Sequence, residues 1–250
     1  LIDATPIGVN VRSTVATYSG VLDELRRAFA CTEEAQAAGL KPGAFSYNTG
    51  SLRCPTCDGT GQITLDVQFL PDVDIECTDC RGSRYGAQAA SIRRDGLSLP
   101  DILAMSVDEA RVAVRGLKKA GVLLETLAGL GLGYLTLGEA TPALSGGEAQ
   151  RLKLASEMGR RQDGALFVFD EPTIGLHPDD VQVLVDVLQR LIERGATVVV
   201  IEHDLDLIRC ADWVIDMGPG GGIEGGRIVA QGTPSEIAAN KASVTGRYLR

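Results

Sequence analysis

The sequence predicts an α/β chain with a small cysteine-bearing module inserted ahead of its sheet region. Three observations carry that expectation. Two apolar runs of strand length, "LFVF" at 166–169 and "TVVVI" at 197–201, are separated by a segment with helical spacing, as parallel α/β layers require. Two C-x-x-C pairs, Cys54 with Cys57 and Cys77 with Cys80, bracket 19 residues. Capped helical segments flank that module on both sides.

The 250 residues, 44% of them hydrophobic, suffice for a sizeable core in one large or two small domains. A net charge of −9 disfavours a non-specific nucleic-acid coat, because phosphate is repelled by such a field. The charge is uneven. Residues 81–119 hold eight Arg or Lys against four acids, a stretch that fits either a solvated helix face or a polyanion contact. No apolar run approaches the roughly 20 residues of a membrane span, and no basic-then-apolar leader opens the chain, which predicts a cytoplasmic protein without membrane contact. The chain begins at Leu1, and "LIDATPIG" reads as the start of a strand, so a longer natural protein is expected.

Residues 1–40 form the first segment. Its helical part, 20–39, contains "GVLDELRRAFA" and a Thr-capped "TEEAQAAG" that stops at Gly39. Residues 41–90 form the inserted module, with a β-like "QITLDVQFL" between the cysteine pairs. Residues 91–143 are helical again, Ser106 and Glu109 fitting a capping box. Residues 144–250 alternate helix and strand. There, Val181, Leu184, Val185, Leu188 and Ile192 share one helical face, and two strands expected to be buried end in Asp170 and Glu171 and in Glu202, His203 and Asp204. In open α/β sheets ligands gather beyond such carboxyl ends. "WVIDMGPGGGIEGGRIVAQGTP" reads as strand, glycine-rich turn and strand.

The spacing of Cys54, Cys57, Cys77 and Cys80 suits one Zn²⁺ held by four thiolates, with a hairpin bringing the pairs together. Two disulfides or idle thiols are the alternative, the disulfides disfavoured in a reducing compartment. Four protein thiolates leave no open position for water, so the metal's expected role is structural. Cys31 and Cys210 lack such partners and read as core or idle thiols. The module carries more acids than bases, so any nucleic-acid contact is expected at Arg81, Arg84 and the basic stretch beyond.

"LSGGEAQRLKLASEMG", 144–159, combines a capping box of Ser145 and Glu148 with two glycines that leave the first N–H groups of a helix uncovered. Such an end binds phosphate, although an ordinary capped helix has the same pattern. Leu144-Ser145-Gly146-Gly147-Glu148 with Gln150 resembles the signature motif of ABC-type ATPases. "LFVFDEP" resembles their Walker B strand and "VVIEHD" their switch-histidine strand. The forms "LSGGEAQRLKLASE", "DEPTIGLHPDD" and "VVIEHDLDLIRCADWVIDMGPGGG", with the cysteine module ahead of them, closely resemble the C-terminal part of the UvrA family of DNA-repair ATPases. "FLPDV" and "ATYSGV" strengthen the match.

The resemblance implies an ABC-type core portion, with a P-loop NTPase-like parallel sheet, the inserted four-cysteine zinc module and a helical signature region. It implies that Asp170 holds Mg²⁺, that Glu171 polarises the water attacking the γ-phosphate of ATP, and that His203 contacts that phosphate. Ser145, Gly146 and Gly147, with Glu148 and Gln150, would serve a nucleotide held mainly by a second ATPase unit, in cis or in a homodimer. Damaged double-stranded DNA and a UvrB-like protein are the implied partners. No G-x-x-x-x-G-K-[ST] occurs in the 250 residues; in the family that loop lies upstream. Glu139, Thr141 and "EMGRRQDG" suggest a divergent branch, and some UvrA-like relatives are associated with drug resistance. The alternatives are a zinc-dependent docking module without ATPase activity, a DnaJ-type zinc module suggested by C-x-x-C-x-G-x-G at 54–61, and an ABC transporter ATPase, which the zinc insertion disfavours.

Overall fold

The computed structural model describes residues 10–65, 73–158, 164–174, 176, 178–218, 220 and 225–250. The strand expected at 1–8, most of "FLPDV", the middle of "EMGRRQDG" and most of the glycine-rich turn at 219–224 lie outside the described residues. The chain forms two compact units, residues 3–161 and residues 162–250.

In the first unit, α1 (Val15–Tyr18), α2 (Val21–Phe29) and α3 (Glu33–Ala37) follow one another closely. The helical reading of 20–39 breaks where Thr32 caps α3 by accepting from the Ala35 N–H. α2 buries Val21, Leu22, Leu25 and Phe29, a stripe at helical spacing, and exposes its acids and arginines. Each such side chain contributes about 1.5–3 kcal/mol on burial. Phe29 meets Phe45 at a ring separation of 6.1 Å, which extends the core toward the cysteine module.

The module's hairpin is β1 (Gln62–Leu65) paired antiparallel with β2 (Val73–Glu76), Gln62 opposite Glu76 and Leu65 opposite Val73. Next come α4 (Ala87–Ser91) and a second hairpin, β3 (Arg93–Arg94) with β4 (Leu97–Ser98), neither expected from the sequence. A readable signal existed. Asp95 and Gly96 occupy the two-residue turn with φ of 52° and 83°, the Asp-Gly pattern of a type I′ hairpin.

α5 (Leu99–Leu103), α6 (Val107–Ala113) and α7 (Lys118–Gly129) complete the helical layer, and α8 (Gly146–Met158) closes the unit. Ser98 with Asp101 and Ser106 with Glu109 form full capping boxes. The helical stretch from 106 divides at Gly116, whose φ of +89° cannot continue a right-handed helix. Leu124 and Leu127 of α7 are fully buried, and α7 packs on α2, α6 and α8. The basic stretch is partly neutralised: Arg93 pairs with Asp101, Arg94 with Asp95, and Arg111 with both Asp108 and Glu125.

The second unit opens with β5 (Leu166–Asp170), α9 (Pro178–Glu193) and β6 (Thr197–Ile201). β5 and β6 pair in parallel from Leu166 opposite Thr197 to Asp170 opposite Ile201. The strands are not buried on both sides as expected. Phe167 and Phe169 are buried and stacked on each other, whereas Leu166 and Ile201 are 59% and 55% exposed. A two-stranded pair covered on one face buries only alternate residues. The α9 stripe is also wider than expected: Val181, Leu184, Val185 and Leu188 are buried together with Val187 and Leu191, while Ile192 is exposed.

α10 (Leu205–Arg209) follows, then β7 (Val214–Gly218) and β8 (Arg227–Gly232), antiparallel with a register shift at Asp216/Met217. α11 (Pro234–Ala239) and α12 (Val244–Leu249) pack on each other, and Asp216 accepts from Ser243 at 2.5 Å and Thr245 at 2.9 Å. Cys31 and Cys210 are exposed, so neither is a core thiol. Among the described residues no helix is long and apolar enough to cross a membrane.

Candidate functional site

The four cysteines predicted to act together do converge. Their sulfurs lie within 4.8 Å of one another and all four residues are buried. Cys54 and Cys77 are 3.9 Å apart, Cys57 and Cys80 3.6 Å. Four thiolates at about 2.3 Å from a tetrahedral Zn²⁺ would be separated by about 3.8 Å, so the cluster fits that ion. Each pair is followed by a two-residue left-handed step, Asp58-Gly59 and Arg81-Gly82. A Cβ on Gly59 would lie 1.8 Å from the Tyr47 carbonyl oxygen, which only glycine avoids.

That turn aims backbone donors at sulfur. The Gly61 N–H donates to Cys57 Sγ at 3.2 Å, and the Arg84 N–H, four residues beyond Cys80 as Gly61 is four beyond Cys57, serves Cys80. Burial opposes ionisation of Cys57, but the donors from Gly61, Cys80, Gly59 and Cys54 outweigh it and bring the thiol down to about 7. Burial and the neighbouring sulfurs push Cys80 up to about 12. Burial and the neighbouring sulfurs thus oppose several thiolates side by side, a repulsion that a bound cation would relieve.

Arg84 occupies the place of Gly61 in the second knuckle despite a φ of +71°. Its guanidinium is buried over the Tyr47 ring, 5.2 Å from the centroid, and donates to the Val11 carbonyl at 2.8 Å. Arg12 clasps Asp58 at 2.9 Å, and the Tyr47 hydroxyl meets Thr14 Oγ1 at 2.9 Å. Residues 11–14 are thus tied to the cysteine module. On their other side Val15 N–H bonds to Glu139 O and Thr141 N–H to Ser13 O, at the approach to the signature helix.

The Ser145 N–H donates to Glu148 Oε2 at 2.6 Å while the Glu148 N–H donates to Ser145 Oγ, the reciprocal box expected. The Tyr134 hydroxyl also donates to Glu148. Although burial opposes its ionisation, these donors hold Glu148 below the usual carboxylate range. Ser145, Gly146 and Gln150 are at least partly exposed, and a Cβ on Gly146 would meet nothing within 4 Å. The ladder's first bond, from the Ala149 N–H to Ser145 O, leaves the N–H groups of Gly146 and Gly147 outside it.

In the second unit, Asp170 ends β5, and the Glu171 N–H makes the last bond across to β6 at Ile201 O, 2.8 Å. Glu171 then turns with φ of +46°. His203 stands beyond β6, its Nδ1 3.7 Å from Glu171 Oε1. Glu171 and His203, both singled out from the sequence, therefore meet at one rim. Glu202 is the residue whose part the sequence did not reveal. Its side chain is 1% exposed and gathers N–H and O–H donors from Thr173 together with the N–H groups of His203 and Asp204. Burial works against its charge, but these donors prevail and hold the carboxyl below its ordinary range.

A mixed α/β chain with strand-end carboxylates, a glycine-opened helix end and a buried four-cysteine cluster defines the class. No family model matches it. Over all 250 residues the chain is 51% identical to the UvrABC system protein A of Aquifex aeolicus and 48% identical to that of Synechocystis, spanning 27% and 26% of their lengths. It superposes on the crystal structure of UvrA2 from Deinococcus radiodurans with a TM-score of 0.91 at 45% identity, covering 100% of this chain and 31% of that one. The chain thus matches proteins of the UvrA family along its whole length, and spans about a quarter of the length of the curated relatives it matches.

Proposed function

We propose that this chain supplies the signature helix and the hydrolytic rim of a UvrA-like ATPase that couples ATP to recognition of damaged double-stranded DNA. The observation that carries this reading is the meeting of Glu171 and His203 beyond two parallel strands, 3.7 Å apart and open to solvent. Asp170 would hold Mg²⁺, which when bound neutralises phosphate charge. Glu171 would take the proton of the attacking water, and His203 would face the γ-phosphate through Nε2. The N–H groups of Gly146 and Gly147, with Ser145 Oγ, offer donors to the γ-phosphate of a nucleotide held by a second ATPase unit. Cys54, Cys57, Cys77 and Cys80 would hold structural Zn²⁺, and Arg81, Arg115, Lys118 and Lys119, which make no ion pair among the described residues, are the cations offered to DNA. A UvrB-like protein is the expected partner.

Two experiments test the reading. The 250-residue chain alone is expected not to hydrolyse ATP, because phosphoryl transfer depends on positioning and this sequence contains no Walker A loop to hold the β- and γ-phosphates. ATPase activity of the highly purified chain that disappears with Glu171→Gln would overturn it. In the complete protein, Ser145→Arg is expected to abolish turnover by filling the γ-phosphate position, while nucleotide bound by the same unit's own phosphate loop is retained; unchanged turnover would remove the signature assignment.

A further inference from the structure

We propose that Glu202 is the positioning residue that fixes Glu171 and His203 relative to each other. This rests on the reading of those two as the hydrolytic pair. The strand ladder ends at Asp170 opposite Ile201, and the bond from Glu171 N–H to Ile201 O is its last rung. Past that point the two exit loops need another tie. Glu202 provides one. Its Oε1 accepts from the Thr173 N–H at 3.0 Å and from the Thr173 hydroxyl, both in the loop leaving β5. Its Oε2 accepts from the His203 N–H at 2.7 Å and the Asp204 N–H at 3.0 Å, both in the loop leaving β6.

One oxygen is therefore dedicated to each loop, and the rigid width of a carboxylate becomes the spacing between them. An anion buried to 1% exposure persists only when such donors replace water, so the arrangement has one well-defined state. His203 is 77% exposed and takes its position from its backbone, which Glu202 holds. Glu202 Oε2 also lies 3.6 Å from His203 Nδ1. The ring is thereby turned with Nδ1 toward the two carboxylates, leaving Nε2 for substrate. Asp204, held by the same oxygen, accepts from the Asp206 and Leu207 N–H groups and starts α10. The loop is thus pinned at both ends.

Glu202→Gln tests this, because the amide keeps the shape but turns an N–H₂ donor toward N–H donors and releases one loop. In the isolated chain, hydrogen exchange is expected to rise at the released loop, 171–174 or 203–207, while that at α11 and α12 stays unchanged. In the complete protein, kcat is expected to fall on the order of 10- to 100-fold, the range for a small misplacement of reacting groups, with KM for ATP unchanged. The double variant with Glu171→Gln should be no slower than Glu171→Gln alone, since a positioner has nothing left to position. Thr173→Val, which removes one donor at the other end and keeps the fold's packing, should give a milder loss of the same kind. Unchanged exchange in both loops, or multiplicative losses in the double variant, would overturn the proposal. If Glu171→Gln itself left turnover intact, the ATPase reading would fall and the exchange data alone would decide the clamp.

Discussion

Glu171→Gln in the complete protein is expected to bind ATP normally and to turn it over roughly 100-fold more slowly or worse, the loss typical when a positioned general base is removed. The amide matches the carboxylate in size and fits the same left-handed turn, so the backbone bond to Ile201 survives and the fold is undisturbed. What disappears is the carboxylate beside His203, the proton acceptor in the proposed mechanism. Asp170→Asn separates the two adjacent carboxylates by effect: it should raise the Mg²⁺ concentration needed for activity. Steady-state hydrolysis with and without damaged duplex, alongside direct nucleotide binding, measures both variants. Equal turnover in Glu171→Gln and the parent would remove Glu171 from the chemistry.

Cys77→Ser is expected to take the metal content from one ion per chain to none and to open residues 54–86. Cys77 is fully buried, so the vacated position cannot be filled by solvent without unfolding the knuckle. Structural zinc sites contribute on the order of 10 kcal/mol to local folding, far more than this hairpin's few exposed cross-strand pairs can replace. The loss should reach residues 11–14, whose ties to Asp58, Arg84 and Tyr47 depend on the knuckles, and should stop short of β5, α9 and β6. Elemental analysis and hydrogen exchange measure the two halves of this expectation. Protein purified without chelators that contains no zinc would refute it.

Much of this was legible in the residues themselves. Paired cysteines, Ser/Glu caps and Asp-Gly turns act over a few positions, so their consequences are written locally: Ser106 with Glu109 and Ser145 with Glu148 both form the boxes their spacing implies. What was not legible depends on partners distant in sequence. Leu166, Val168 and Ile201 read as doubly buried because they are apolar on both faces, yet the described residues cover one face only. Ile192 fits the helical stripe as well as Leu191 does, and only the neighbours of α9 choose between them. Glu202 carries no local mark of its role, because its donors at Thr173 lie 29 residues away. Its burial is the signal, and burial is a property of the folded chain.

The cysteine module enters and leaves the first unit through a single seam, Cys54 N–H bonded to Arg84 O and Gly86 N–H to Leu52 O. Topologically it is a cassette. The flanking chain has to bridge only one pair of adjacent rungs, whatever lies between them, and the entropic cost of lengthening a loop closed at such a seam grows only with the logarithm of its length. Segments between the two knuckles can therefore be lengthened at small entropic cost while the helices beneath keep their packing.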